Sequence, residues 1–331
     1  KAEAMNWQGK KVLVTGADGF IGSHLAERLV AEGAEVRAFV WYNSFGRWGW
    51  LDDSAVRDSM EVVAGDVTDA EFVRRAAEGQ EVIFHLAALI AIPYSYHAPR
   101  SYLRTNAEGT LNVLQAAREL CTPRVVHTST SEVYGTARVV PIDEAHPLQG
   151  QSPYSASKIA ADKLAEAFHL SFGLPVVTVR PFNTFGPRQS ARAVIPTIIS
   201  QALRGETVRL GNLHPTRDLT YVSDTVEGFL KGGSVPDIEG RTINLGTGQE
   251  ISIGGLVDLV GELLGRKIDC EVEAARLRPA GSEVERLLSD NRLAAEVLGW
   301  TPQVTLGAGL AKTISWIGDH LAQFRGGVYV L

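Results

Sequence analysis

The chain has 331 residues, 45% hydrophobic and 21% charged, with a formal net charge of -6. That length and apolar content suffice for a sizeable core and a second lobe, while the acidic balance leaves no electrostatic footprint for nucleic acid or an anionic membrane. No apolar run reaches the roughly 20 residues that span a bilayer, and Cys121 and Cys270 make no disulfide framework in a chain this long. Lys1–Ala4 read as an artificial extension ahead of a natural start at Met5, without a signal-peptide pattern, so a cytoplasmic enzyme is expected.

The apolar run Lys11–Thr15 ends in the turn Gly16-Ala17-Asp18-Gly19-Phe20-Ile21-Gly22, and Ile21–Ala31 follows with helical spacing. Strand, glycine turn and helix open a dinucleotide-binding unit. Strand-like runs recur at Glu35–Val40, Glu61–Ala64, Val82–Leu86, Arg124–Thr128 and Val176–Arg180, with helical patterns between them, clearest at Asn106–Leu120 and Tyr154–Phe172. This alternation predicts an α/β fold: a Rossmann-type, doubly wound parallel sheet. After Pro181 the rhythm breaks, and residues 181–331 are expected to form mainly a smaller, interleaved C-terminal α/β substrate lobe. The dinucleotide-binding domain is expected over residues 5–180, with segments near 218–245 returning to it.

Gly16, Gly19 and Gly22 suit a tight turn, close approach of a pyrophosphate and close helix packing, with the helix N-terminus offering free N–H groups to phosphate. Phe20 and Ile21 share that turn and are assigned to the cofactor site with it. Asp66, with Val67, follows the third strand and either accepts from an adenine amino group or caps the next helix. Leu86, Ala87 and Ala88 are small enough at the fourth strand end for ribose and nicotinamide to pass close to backbone. Asn106 reads as an N-cap. The second strand ends in Val40-Trp41-Tyr42-Asn43-Ser44 without the usual ribose-binding carboxylate. Asn43, Ser44 or Arg47 could serve a ribose or a 2′-phosphate, so the expected cofactor is NAD with NADP open. The aromatic run from Trp41 to Trp50 reads as packing.

Tyr154 and Lys158 are four residues apart and share a helical face. A neighbouring ammonium is expected to lower the phenol pKa from about 10, so that Tyr154 can take a proton from a sugar hydroxyl during hydride removal. The eight histidines form no ligand-spaced cluster, so no metal is expected, and His127 reads as a core residue.

With these motifs in place, the chain resembles the extended short-chain dehydrogenase/reductase family from Lys11 to about His320. The segment His127-Thr128-Ser129-Thr130-Ser131-Glu132-Val133-Tyr134-Gly135 is similar to that family's catalytic strand end, and Arg180–Pro187 and Arg217–Asp224 to its nucleotide-sugar elements. The resemblance implies a nucleotide-sugar epimerase, dehydratase or decarboxylase. It implies catalytic residues Thr130, Ser131, Glu132, Tyr154 and Lys158, and nucleotide-sugar contacts from Asn183, Arg192, Arg217 and Arg278. In a 4,6-dehydratase Glu132 would take the C5 proton; a 4-epimerase gives it no duty. Stretches such as Ala88–His97 and Arg276–Pro279 look like the bacterial 4,6-dehydratases of legionaminic acid synthesis, which implies a nucleotide-linked N-acetylglucosamine substrate. A 4-epimerase, a UDP-glucuronate decarboxylase with Arg188, Arg192 or Arg278 near the carboxylate, and a non-catalytic dinucleotide sensor are the alternatives. Second apolar surfaces on the two long helices, carried by Leu111, Val113 and Leu114 and by Ile159, Leu164, Ala165 and Phe168, predict a homodimer through a four-helix bundle.

Overall fold

A computed structural model describes residues 5–324. Seven parallel strands form the central sheet: β1 (Lys11–Thr15), β2 (Glu35–Trp41), β3 (Met60–Gly65), β4 (Val82–His85), β5 (Arg124–Thr128), β6 (Val176–Pro181) and β7 (Thr242–Leu245). Their order is β7-β6-β5-β4-β1-β2-β3. The central strands are apolar runs because helices cover both faces of the sheet there, as in β4, which is buried throughout. Helices α1 (Phe20–Ala31) and α6 (Val222–Ser234) pack on one face. On the other lie α2 (Ala70–Ala77), α3 (Gly109–Glu119) and α4 (Pro153–Phe172). The fold is therefore Rossmann-type and doubly wound, and β7 with α6 comes from the C-terminal half of the chain.

Helices α5 (Val194–Arg204), α7 (Ile253–Leu263) and α8 (Leu306–Asp319) pack together in that half. Three small sheets accompany them, one pairing Val208–Leu210 with Cys270–Val272, one joining Thr216–Arg217 to Ile251–Ser252 and Arg286–Leu287, and one pairing Thr184–Phe185 with Thr220–Tyr221.

Three local expectations are corrected. The helix expected to open at Asn106 begins at Pro99 and runs through a wide π-helical turn, Leu103–Glu108, into α3. Asn106 is therefore interior to a helical run, not its cap. Trp41, Tyr42 and Phe45 are exposed rather than packed, whereas Trp48 packs against the core and Trp50 lies edge-on to Trp316. Of the seven apolar residues expected to give the long helices a second surface, Leu111 alone is exposed, and the others are buried or half-buried against neighbouring elements of the same chain.

Candidate active site

The strand order reverses between β1 and β4, so a crevice opens at their carboxyl ends, where doubly wound sheets bind ligands. Thr15 ties the two strand ends together, its hydroxyl accepting from the N–H groups of Leu86 and Ala87, each at 3.1 Å. Gly16 has φ +69°, and a Cβ there would lie 2.8 Å from Ala87 N; at Gly22 it would lie 2.0 Å from the Gly16 carbonyl. Gly19 caps α1 without a side chain, leaving the first N–H groups of the helix, from Phe20, Ile21 and Gly22, for a ligand. A diphosphate fits this cradle.

At the adenosine end, Asp66 does not cap α2: Asp69 does, accepting from Phe72 N at 3.0 Å. The Asp66 carboxylate accepts only from Thr68 N at 2.8 Å among the described residues, which leaves acceptor capacity for an adenine amino group. Val67, beside it, is buried under Gly109. Asn43 is committed to its own loop, donating to the carbonyls of Trp41 and Arg47 at 3.2 and 2.7 Å, while Ser44 is exposed and Arg47 pairs with Asp52 at 3.2 Å. The carboxylate missing from β2 arrives from elsewhere. Asp18, in the glycine turn, accepts from Trp41 N at 3.2 Å and so stands at the end of β2, with burial raising its pKa. Sequence reasoning missed it because the contact joins residues 23 apart.

Tyr154 sits in the first turn of α4, fixed by Pro153 and by a reciprocal cap in which Ser155 N donates to Ser152 Oγ at 3.1 Å and Ser152 N to Ser155 Oγ at 3.0 Å. The positive end of the helix dipole favours a phenolate there. The phenol is 7% exposed, beside the Thr130 side chain and edge-on to the Tyr102 ring at 6.2 Å. Burial raises its pKa above the ordinary value, aided by the nearby Glu132, while the Thr130 contact lowers it. The expected lowering by Lys158 is thus overturned for the protein alone. The ammonium donates instead to the Thr128 carbonyl at 2.6 Å, and burial lowers its own pKa to about 8.

Thr130 caps a 3-10 turn, Ser131–Tyr134, that swings Glu132 toward both Tyr154 and Arg217. Ser131 is buried in that turn. Glu132 has no ion-pair partner among the described residues, so its carboxylate is free to act on a ligand. Asn106, read from sequence as a cap, is completely buried. It accepts from Leu89 N at 2.8 Å and donates to Leu89 O and Ser157 Oγ, both at 2.9 Å, and so locks the segment after β4 onto α4. His127 is buried in β5 and bonded to Asp162, as a core residue.

Across the crevice, Asn183 sits at φ 28° with its buried Nδ2 unpartnered. Arg217 is 7% exposed and donates to Thr216 O at 2.9 Å; burial lowers its pKa, and Glu132, Arg278 and Glu283 are its charged neighbours. Arg278 keeps a buried Nη1 whose nearest anion is Glu283, at 3.8 Å. Two guanidinium groups and an unpaired amide donor suit a diphosphate. Arg192 is exposed and faces Tyr102, at the sugar end. Arg188 is not available to ligand: it bonds Ser23 at 3.1 Å and Glu27 at 2.9 Å, clamping its loop to α1. Among the described residues no group of three His, Cys, Asp or Glu is arranged to hold a metal ion.

The family model described as GDP-mannose 4,6 dehydratase matches residues 13–313. The chain belongs to this family. A UDP-glucose 4-epimerase of Mycolicibacterium smegmatis is 37% identical over 312 residues, covering 92% of this chain and 98% of the relative. UDP-glucuronic acid decarboxylase 1 of Xenopus tropicalis is 33% identical, covering 97% and 75%. The crystal structure of a dTDP-glucose 4,6-dehydratase from Streptomyces venezuelae, with NAD bound, superposes with a TM-score of 0.84 at 30% identity, covering 95% and 98%. Family members of this kind are nucleotide-sugar dehydratases and epimerases, and the chain is an enzyme of that group.

Proposed function

We propose that the protein is a nucleotide-sugar 4,6-dehydratase acting on a nucleoside-diphosphate N-acetylglucosamine-type sugar. The observation that carries this reading is the Glu132 carboxylate, free of any ion pair among the described residues and set between Tyr154 and the diphosphate-type cluster of Arg217 and Arg278. The cofactor is NAD, which supplies the hydride acceptor and returns the hydride within each cycle. Asp18 supports NAD over NADP, because its carboxylate at the end of β2 suits a ribose hydroxyl and repels a 2′-phosphate.

Tyr154, assisted by Thr130, removes the O4 proton as C4 is oxidised. The 4-ketone acidifies C5; Glu132 takes that proton and passes it to the C6 hydroxyl, which leaves as water, and the proton removed from O4 balances the one that C5 takes up as the hydride returns to C6. Lys158 holds a positive charge beside this chemistry, and Ser131 shapes the turn that aims Glu132. Asn183, Arg217 and Arg278 hold the diphosphate, with Arg192 at the sugar end. Gly16, Gly19, Phe20, Ile21, Gly22, Asp66, Val67, Leu86, Ala87 and Ala88 line the dinucleotide, and Ser44 borders its adenosine end.

A 4-epimerase is the second reading, favoured by the 37% identity to an epimerase over nearly the whole chain. Incubation with UDP-, GDP-, CDP- and dTDP-sugars, read by mass, separates them. Loss of water marks the dehydratase, unchanged mass with altered stereochemistry marks the epimerase, and loss of carbon dioxide would mark a decarboxylase. We assign residues 5–180 and 218–245 to dinucleotide binding and the rest mainly to the substrate. We place the enzyme in the cytoplasm; no helix among the described residues is long and apolar enough to cross a membrane. The homodimer remains our reading on the exposed Leu103 and Leu111, two turns apart on the outer side of the Pro99–Glu119 helical run. Sedimentation of a monomer at micromolar concentration would overturn it.

A further inference from the structure

We propose that Asp162 is a positioning residue for the redox centre, which grips the strand end leading to Thr130 and supplies the anion that keeps the buried Lys158 ammonium charged. The inference rests on the reading that Tyr154 and Lys158 carry the alcohol oxidation. Tyr154, Lys158 and Asp162 fall one turn apart on a single face of α4, which is laid against the end of β5. Each meets a successive piece of that strand end. Tyr154 meets Thr130, Lys158 donates to Thr128 O at 2.6 Å, and Asp162 accepts from Ser129 Oγ at 2.6 Å and faces His127 Nε2 at 2.9 Å. Moving Asp162 therefore moves the two residues on either side of Thr128, and Thr130 with them.

The charge balance gives the second half. Lys158 and Asp162 are each only 4% exposed. Arg180, from β6, donates to Asp162 Oδ2 at 2.9 and 3.2 Å and to Tyr134 Oη at 2.9 Å, and Tyr134 Oη donates in turn to Asn244 Oδ1 at 2.8 Å. The titratable groups around Lys158 are Tyr154 and Asp162, one turn away on either side of it along α4, with His85 on β4, His127 on β5 and, beyond Asp162, Arg180 on β6. Burial lowers the pKa of both histidines, which leaves them neutral at neutral pH. One carboxylate thus faces two cations in a dry setting, where an uncompensated ammonium sheds its proton. Asp162 is also the group that raises the Lys158 pKa against the effect of burial.

A purely structural tie between α4, β5 and β6 would explain the hydrogen bonds but not a dependence of the Lys158 charge on Asp162. Lysine-selective 15N labelling of the NAD-loaded protein, with Lys158 assigned through K158R, reads that charge directly and needs no sugar substrate. In the wild type Lys158 should remain an ammonium at neutral pH and titrate near 8. D162N should lower that midpoint by about one pH unit or more, and D162E should restore most of it. With substrate, the alkaline limb of the C4-oxidation rate should move by the same amount, with kcat changed more than KM. A D162N protein that folds, binds NAD and titrates at the wild-type midpoint overturns the proposal. Should D162N not fold, a neutral Lys158 amine in the wild type at neutral pH overturns it equally. Because the titration is independent of turnover, its failure stays distinct from a failure to oxidise any nucleotide sugar.

Discussion

Tyr96 Oη lies 2.6 Å from Ser282 Oγ, joining the segment after β4 to the C-terminal segment that carries Arg278. The two partners are 186 residues apart, and each belongs to a short helical turn, Ile92–His97 or Ala280–Ser282. Tyr96 also packs against the cluster of Ile92, Tyr102 and Tyr154. The bond therefore clasps the two lobes beside the acid–base residue. Y96F should raise KM for the nucleotide sugar about two- to tenfold, the worth of one net hydrogen bond, and leave kcat nearly unchanged. A fall in kcat with KM constant would assign the hydroxyl to chemistry instead.

Glu132 separates dehydration from epimerisation. E132Q keeps size and hydrogen bonding but cannot accept a C5 proton. Oxidation at C4 should persist, so the absorbance of reduced nicotinamide should build up on adding substrate while product falls by about 10²–10⁴-fold. Full turnover without that build-up would sink the dehydratase assignment. Y154F is the control: it should lose both signals yet keep its fold and its bound NAD, since only one hydroxyl is removed.

Asn106 satisfies three partners at once in a fully buried position. N106A strands both backbone groups of Leu89, so it should cost about 1–3 kcal/mol and loosen the Leu86–Leu89 segment over which the nicotinamide would lie. Urea unfolding checks the stability; NAD occupancy after purification checks the site. Stability and occupancy equal to wild type would show that Leu89 has another partner.

Asp162 gives the acid side of the pH dependence. Its folded-state pKa, about 2, is depressed by His127, Arg180 and Ser129 against burial. A depressed carboxylate adds stability above its unfolded value near 4, and that stability is lost as pH falls toward about 2, an amount on the order of 2 kcal/mol. Unfolding free energies measured from neutral to acid pH should fall less steeply in D162N than in wild type. Parallel curves for the two proteins would contradict the shift.

The sheet was legible because its central strands, such as β1 and β4, are apolar runs covered on both faces, and the segment expected to return to it near 218–245 supplies α6 and β7. The glycine turn was legible because Gly16 and Gly22 leave no room for a Cβ. What escaped depends on distance along the chain. Asp18 reaches β2 only after the turn folds back, and Asn106 meets Ser157 across 51 residues. The helix around Asn106 begins at a proline, a start signal that the apolar periodicity obscured. The phenol of Tyr154 went astray for another reason: spacing places a lysine nearby, but burial decides the sign of the shift.

The edge strand β7 adds a consequence for how the protein is made. It pairs with β6 only once residues 242–245 exist, and α6, which covers β4 to β6, is encoded just before it. A chain leaving the ribosome with its first six strands complete still lacks both the strand that closes that edge and the helix that covers that face. Such an intermediate exposes Val177, Val179 and an open row of backbone donors, the kind of surface that recruits chaperones or aggregates. Slow translation across residues 181–245 would lengthen the time for which that surface stands open.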